Sequence, residues 1–189
     1  MNVKQLVSII GGLILLLAGT QARALWLEPG DMIAGTGYGP SNCEPECIYE
    51  VFGLTTDPAL ELLYKADQGE TVSEEGLFAD WYATTFFNTE VDPSAADIEQ
   101  EGTGHITCPE CYLAVKDGNA TPGYYFYDLG SWNGMEDINL RNFWPEQGAI
   151  SHVAIWGRNV TSVPEPAPLT LMGLGLLLIT LAVRKRRLN

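Results

Sequence analysis

Four cysteines in two close pairs, Cys43-x3-Cys47 and Cys108-x2-Cys111, are the residues of this 189-residue chain best spaced to do chemistry. In an oxidising compartment they could close two disulfides, with three connectivities open; gathered in space they could instead hold a tetrahedral zinc. A thioredoxin-like redox motif at "CPEC" would need a βαβ setting that the flanking sequence lacks. The two histidines are isolated: His105 reads as a loop residue and His152 as a strand residue. Ser151 beside His152 does not make a triad, because neighbours on a strand point to opposite faces and no GxSxG turn presents a nucleophile. We therefore expect no enzyme. Asp128, Asn133, Glu136, Asp137 and Asn139 offer oxygen ligands that calcium could use, without the spacing of an EF-hand loop, and no other cofactor is expected. Trp81, Trp132 and Trp144, with Tyr124, Tyr125 and Tyr127, could line a stacking face for sugar rings, or simply fill a core.

The compartment decides between the cysteine readings, and the two ends of the chain speak to it. Residues 1–24 carry Lys4, an apolar run from Leu6 to Ala18, and Ala22-Arg23-Ala24 before Leu25. That is the layout of a secretory signal peptide with small residues at the cut, and the run is too short to span a bilayer. At the other end, Leu169 to Val183 is free of charge and is followed at once by Arg184-Lys185-Arg186-Arg187. An apolar helix over about residues 168–183 would be a minimal transmembrane anchor, its basic end kept inside by the preference of Lys and Arg for the cytoplasmic side. Export places the cysteines in an oxidising space and favours disulfides over zinc.

Between the ends, residues 25–163 carry 23 acidic side chains against four basic ones, Lys65, Lys116, Arg141 and Arg158, a net charge of −19. Phosphate contacts require a clustered basic face, so nucleic acid is excluded as a partner.

The segments that must position these residues are short, β-branched or aromatic, and punctuated by turns. Cys47–Leu54, Leu60–Asp67, Cys111–Gly118, Tyr124–Trp132, Ile138–Trp144 and Ile150–Gly157 read as strands, and Leu77–Asn88 is a further aromatic and threonine-rich segment. Residues 67–75 and 91–104 read as acidic loops, the second with a short edge strand near Ile98. Tyr49, Val51, Leu113, Val115, Val153 and Ile155 alternate along their strands and are core candidates. The expected fold is all-β: an antiparallel β-sandwich, jelly-roll or immunoglobulin-like, over residues 25–161.

The tail carries a more specific signal. Val163-Pro164-Glu165-Pro166, then the short hydrophobic helix, then the basic cluster, resembles the PEP-CTERM sorting signal of exported proteins in exopolysaccharide-producing Gram-negative bacteria. "KDGN" (Lys116 to Asn119), "WNG" (Trp132 to Gly134) and "ISHVAIWG" are similar to ectodomains found upstream of such tails. The resemblance covers about residues 162–187, within a sorting-signal segment of residues 162–189. It implies a substrate of exosortase, a membrane transpeptidase-like enzyme that processes its substrates near Pro-Glu-Pro, after export across the inner membrane and transient anchoring. It also implies delivery to the cell surface or an exopolysaccharide matrix. The alternative expectation is a carbohydrate-binding module in that matrix, calcium-dependent if the oxygen cluster is used; an ordinary proline-rich linker before a permanent anchor is the plainer reading of the tail.

Overall fold

The computed structural model describes residues 24–32, 38–39, 41–87, 92–102, 104–145 and 148–164, the last three through their backbone. The predicted signal peptide up to residue 23, and the predicted anchor and basic cluster, lie outside them. Among the described residues no helix is long and apolar enough to cross a membrane.

The fold is mostly β. Eleven strands are described: β1 Leu25–Leu27, β2 Glu61–Asp67, β3 Ser73–Glu75, β4 Tyr82–Phe87, β5 Ala95–Gln100, β6 Gly104–Thr107, β7 Glu110–Asp117, β8 Tyr124–Asp128, β9 Ile138–Leu140, β10 Ile150–Arg158 and β11 Thr161–Pro164. They form a four-stranded sheet in the order β1-β9-β5-β4, a five-stranded sheet in the order β3-β2-β10-β7-β8, and a two-stranded ribbon of β11 with β6. Pairing is antiparallel except that β1 runs parallel to β9. The sheets are therefore not purely antiparallel as expected: the first three residues after the predicted signal join the four-stranded sheet as a separate parallel edge strand.

Both sheets feed one core. Leu63, Leu113, Val115, Val153 and Ile155 from the five-stranded sheet meet Ile98, Ile138 and Leu140 from the four-stranded one. The far face of the five-stranded sheet is also covered. There Tyr112, Ala114, Tyr124 and Phe126 pack under Cys47 and Ile48 of a short helix, α1 (Glu46–Phe52). β7 lies between the two clusters, and seven of its eight residues are buried. A strand covered on both faces loses the alternation of a half-exposed one and reads as a continuous apolar run, as "CYLAV" does.

Two expectations are corrected. Cys47–Leu54 is not a strand: it is α1, ended by Gly53 in the left-handed region (φ 63), whose N–H turns back to the carbonyls of Glu50 and Tyr49. Glycine is the residue that adopts this C-cap without steric cost. Tyr49 and Val51 are accordingly half-buried helix residues beside the second cluster, while Leu113, Val115, Val153 and Ile155 are fully buried in the first. Residues 91–104 do not form a loop with an edge strand: they contain β5, an inner strand of its sheet. Its buried face is small (Ala96, Ile98) and its outer face acidic (Asp97, Glu99), so charge masked a regular period of two. The 67–75 segment ends in the short edge strand β3, and the strand predicted over 138–144 stops at Leu140, with Asn142 and Trp144 at positive φ.

Polar ties connect the layers. Tyr64 Oη on β2 donates to Glu74 Oε1 (2.7 Å) and shares a hydrogen bond with Thr84 Oγ1 of β4 (2.7 Å), joining the two sheets. Arg158, buried at the end of β10, grips both oxygens of Glu110 (2.8 and 3.0 Å) and donates to the carbonyls of Thr55 and Pro58, fastening the segment after α1 to the sheet.

Two stability predictions follow from these ties. Tyr64→Phe strips the Thr84 hydroxyl and Glu74 of a shared buried partner, and should lower the unfolding free energy by about 1–2 kcal/mol in urea titration; an unchanged midpoint would show that the tie carries no weight. The hydrogen bonds from Arg158 hold the Glu110 carboxyl below the ordinary carboxylate range. A depressed carboxylate contributes stability above its unfolded pKa that is lost as pH falls through the folded one. Glu110→Gln should therefore melt below the parent at neutral pH, with the gap closing as pH is taken below about 4. A gap that persists undiminished in acid would contradict this.

Candidate functional site

The structure places the start of the predicted sorting motif inside the fold. Val163 and Pro164 are the last two residues of β11, in register with His105 and Gly104 of β6, while Thr161 and Ser162 face Thr107 and Ile106. His105 is thus a strand residue, not a loop residue as its sequence context suggested. Glu165, Pro166 and Arg184, Lys185, Arg186 and Arg187 lie outside the described residues.

β6 is held from the side opposite β11. Ile106 is fully buried, and its N–H donates to Tyr82 Oη at 3.0 Å. The same hydroxyl donates to the carbonyl of Gly134 at 2.8 Å, so one side chain of β4 clamps β6 to the "WNG" turn. Burial pushes the Tyr82 phenol up to about 12, with the Ile106 N–H pulling the other way, so it remains a donor at every physiological pH. Gly134 sits at φ 75 with a Cβ direction aimed at the Ile106 carbonyl oxygen; any side chain there would collide with β6. The turn itself is fixed by Asn133 Oδ1, which accepts from the N–H groups of Met135 and Glu136 (both 2.9 Å). Gln100 Nε2 donates to the carbonyls of Gly102 and Gly104, pinning the start of the strand.

This seat fixes the hydrogen-bond parity of the ribbon. Both polar backbone groups of Ile106 turn away from β11, so Ile106/Ser162 is a non-hydrogen-bonded pair, and Gly104/Pro164, two residues on, is another. Proline, which has no N–H to give, therefore stands where the ladder asks for none. The hydrogen-bonded slots are Thr107/Thr161 and His105/Val163.

At the other end, Ala24 is half-buried and Ala22 is outside the described residues. Leu25, the first residue after the predicted cut, opens β1 and donates its backbone N–H to the Asp137 carbonyl at 2.7 Å.

The cysteines are joined within each pair, Cys43 to Cys47 and Cys108 to Cys111, with Cα atoms 5.4 and 5.5 Å apart. The two bridges belong to different clusters on opposite faces of the five-stranded sheet, so the four sulfurs do not converge as a zinc site would need.

The oxygen cluster considered for calcium is dispersed among local tasks. Asp128 caps Gly130, Asn133 holds its own turn, and Asn139 donates to Asp97. Among the described residues no group of three or more His, Cys, Asp or Glu side chains is arranged to hold a metal ion.

His152, on the α1 side of β10, is buried with its Nε2 3.1 Å from Glu44 and its Nδ1 3.7 Å from Asp67. The neighbouring Ser151 hydroxyl donates to the carbonyl of Lys116, away from the imidazole, and the Lys116 ammonium lies over the Tyr124 ring. The contact between His152 and Glu44 ties the Cys43–Cys47 segment to the sheet.

The predicted aromatic face does not form. Trp132 and Trp144 are buried, donating to the carbonyls of Glu136 and Pro122, and Trp81 is half-buried against Phe78. Tyr124 and Tyr127 are core residues and Tyr125 packs on Trp144. The large rings were needed to fill the space between the layers. Among the described aromatics Trp26, 60% exposed, and Phe87 face solvent, with the Arg141 guanidinium 5.2 Å over the indole and 5.6 Å over the Phe87 ring. Sequence reasoning passed over Trp26 because "LWL" abuts the signal peptide; its signal was the alternation around Trp26, with Leu27 turned into the core.

Comparison with known proteins speaks to the tail rather than to the β-rich domain. No curated protein and no solved structure matches the chain. Residues 162–187 match the family model of the PEP-CTERM protein-sorting motif. The chain carries this motif, and is thereby an exosortase-targeted protein, exported, held through a C-terminal sorting signal and bound for the cell surface.

Proposed function

We propose that this is a non-enzymatic surface or extracellular-matrix protein of a Gram-negative bacterium, whose β-domain is a two-layer sandwich. The signal peptide, residues 1–24, is removed after Ala24; the helix of residues 168–183 holds the chain in the inner membrane with residues 184–187 inside. Exosortase then processes it near Pro-Glu-Pro and releases the domain to the envelope or its exopolysaccharide. The observation that carries the reading is the family match over residues 162–187, which includes the proline-bracketed Glu165 and the basic cluster. The prolines disfavour regular structure and keep the segment readable by a cleft, and Glu165 offers it one charged contact. The two within-pair disulfides and the acidic surface suit an oxidising exterior.

A specific observation favours a second reading, carbohydrate binding, on residues other than those expected. Trp26, Asn139, Asp97 and Thr85 are register neighbours across all four strands of the smaller sheet, on the face away from the core. With strands about 4.8 Å apart the row spans roughly 14 Å, long enough for two or three sugar rings. It combines one exposed indole with hydrogen-bonding side chains held in order by Arg141, which pairs with Asp97.

Two measurements test these readings. Intact mass and terminal peptides of the mature protein from its exosortase-bearing host should begin at Leu25 and end within Val163–Pro168; peptides reaching Arg187 in the mature surface form would sink the processing reading. For the second, Trp26→Ala should abolish retardation of the domain in gels containing the host's exopolysaccharide, since stacking on one ring contributes about 1–3 kcal/mol. Equal retardation of parent and variant would remove the row from consideration.

A further inference from the structure

The sorting motif does not hang free below the domain, because its first two residues are already a strand of it. Val163 occupies a hydrogen-bonded slot opposite His105, and Pro164 the following slot opposite Gly104. β6 is in turn held from its other side, seated on Tyr82, Gly134 and Gln100. From Pro164 to the start of the apolar run at Leu169 there are four residues, Glu165 to Pro168. Fully extended, four residues reach at most about 14 Å.

We propose that β6 is a latch on the sorting motif: exosortase can hold the Val163–Pro166 segment only after β11 has been peeled from β6, so the folded domain sets the rate at which it is released. Two arguments carry this, both resting on the processing reading above. A cleft that binds an extended peptide does so largely through its backbone hydrogen bonds, and those of Val163 are already given to His105. Reach is the second. With β11 paired, at most about 14 Å separates domain and apolar run; with Thr161–Pro164 released the eight residues to Pro168 reach about 28 Å, enough to admit an enzyme body between domain and membrane. The latch needs no rearrangement of the core. Among the described residues β11 is paired to β6 alone, and opening such an edge is a local event of low cost.

The test uses the full chain expressed in its exosortase-bearing host and in the same host lacking exosortase, with the conversion of precursor to shortened form followed by pulse-chase. His105→Pro deletes the N–H opposite Val163 and leaves the motif sequence untouched, whereas His105→Ala keeps that N–H and serves as its control. A six-residue Gly-Ser insertion between Ser162 and Val163 carries the intact motif off the ladder without altering β6, and covers the case in which the proline variant does not fold. The expected result is conversion at least about fivefold faster for His105→Pro and for the insertion, with His105→Ala at the parental rate. If the parent is shortened and the insertion variant is shortened no faster, the latch is wrong, and slower conversion would mean that β6 presents the motif instead of withholding it. If no form is shortened even with exosortase present, the processing reading itself has failed and the latch falls with it.

Discussion

The fold depends on one strand being covered on both faces. β7 sends Leu113 and Val115 toward the four-stranded sheet and Tyr112 and Ala114 toward α1, so each layer is stabilised by burying alternate residues of the same strand. Burial stabilises by roughly 25 cal/mol per Å² of apolar surface, and this strand gains it on both faces. Its ends are tied by short-range chemistry. The Cys108–Cys111 bridge and the Glu110–Arg158 pair lie at its start; at its end the Asp117 carboxylate accepts from the N–H groups of Asn119, Ala120 and Ala149. The "KDGN" turn is thereby locked to the start of β10, which pairs with β7 along its length. Sheet, turn and disulfide are consequences of holding this strand still.

Charge is the counterweight. The four cations of the exported domain are all engaged: Lys65 with Asp67 and Glu75, Arg141 with Asp97, Arg158 with Glu110, and Lys116 over Tyr124. Lys65, Lys116 and Arg158 sit on strands and Arg141 directly follows β9. The acidic excess that remains is spread over the surface, where it favours solubility and repels an anionic membrane face. The basic tail has the opposite charge, so the electrostatic response of the two parts of the chain to an anionic membrane differs in sign.

How much of this could be read in the sequence varies with the range of the interaction responsible. β2, β7, β8 and β10 were legible because runs of β-branched and aromatic residues are bounded by Asp117-Gly118 and Pro122-Gly123, and such signals are local. The helix over Glu46–Phe52 was not: two turns of chain supply too few residues to separate a period of two from one of 3.6, and only Gly53 hinted at its end. β5 was hidden by charge, since Asp97 and Glu99 face outward where they make a sheet row while the small residues between them carry the burial. The tail motif was fully legible, being a linear signal. Its seat was not, because Ile106 meets Tyr82 across 24 residues and Gly134 across 28, and no spacing rule connects them.

Both predicted processing points abut the fold without a linker. The strand that opens the domain starts at Leu25, one residue past the predicted signal cut, and the strand that closes it ends at Pro164, inside the sorting motif. Each is at the margin of its sheet: β1 is the outer strand beside β9, and β11 has β6 as its one neighbour. Edge strands are the elements whose pairing can open while the core stays closed, because few apolar contacts depend on them. Under the processing proposed above, a chain cut at both ends without unfolding between them is well served by that arrangement. β7, covered on both faces, lies inside the core, whereas pairing at the two edges can open without exposing it.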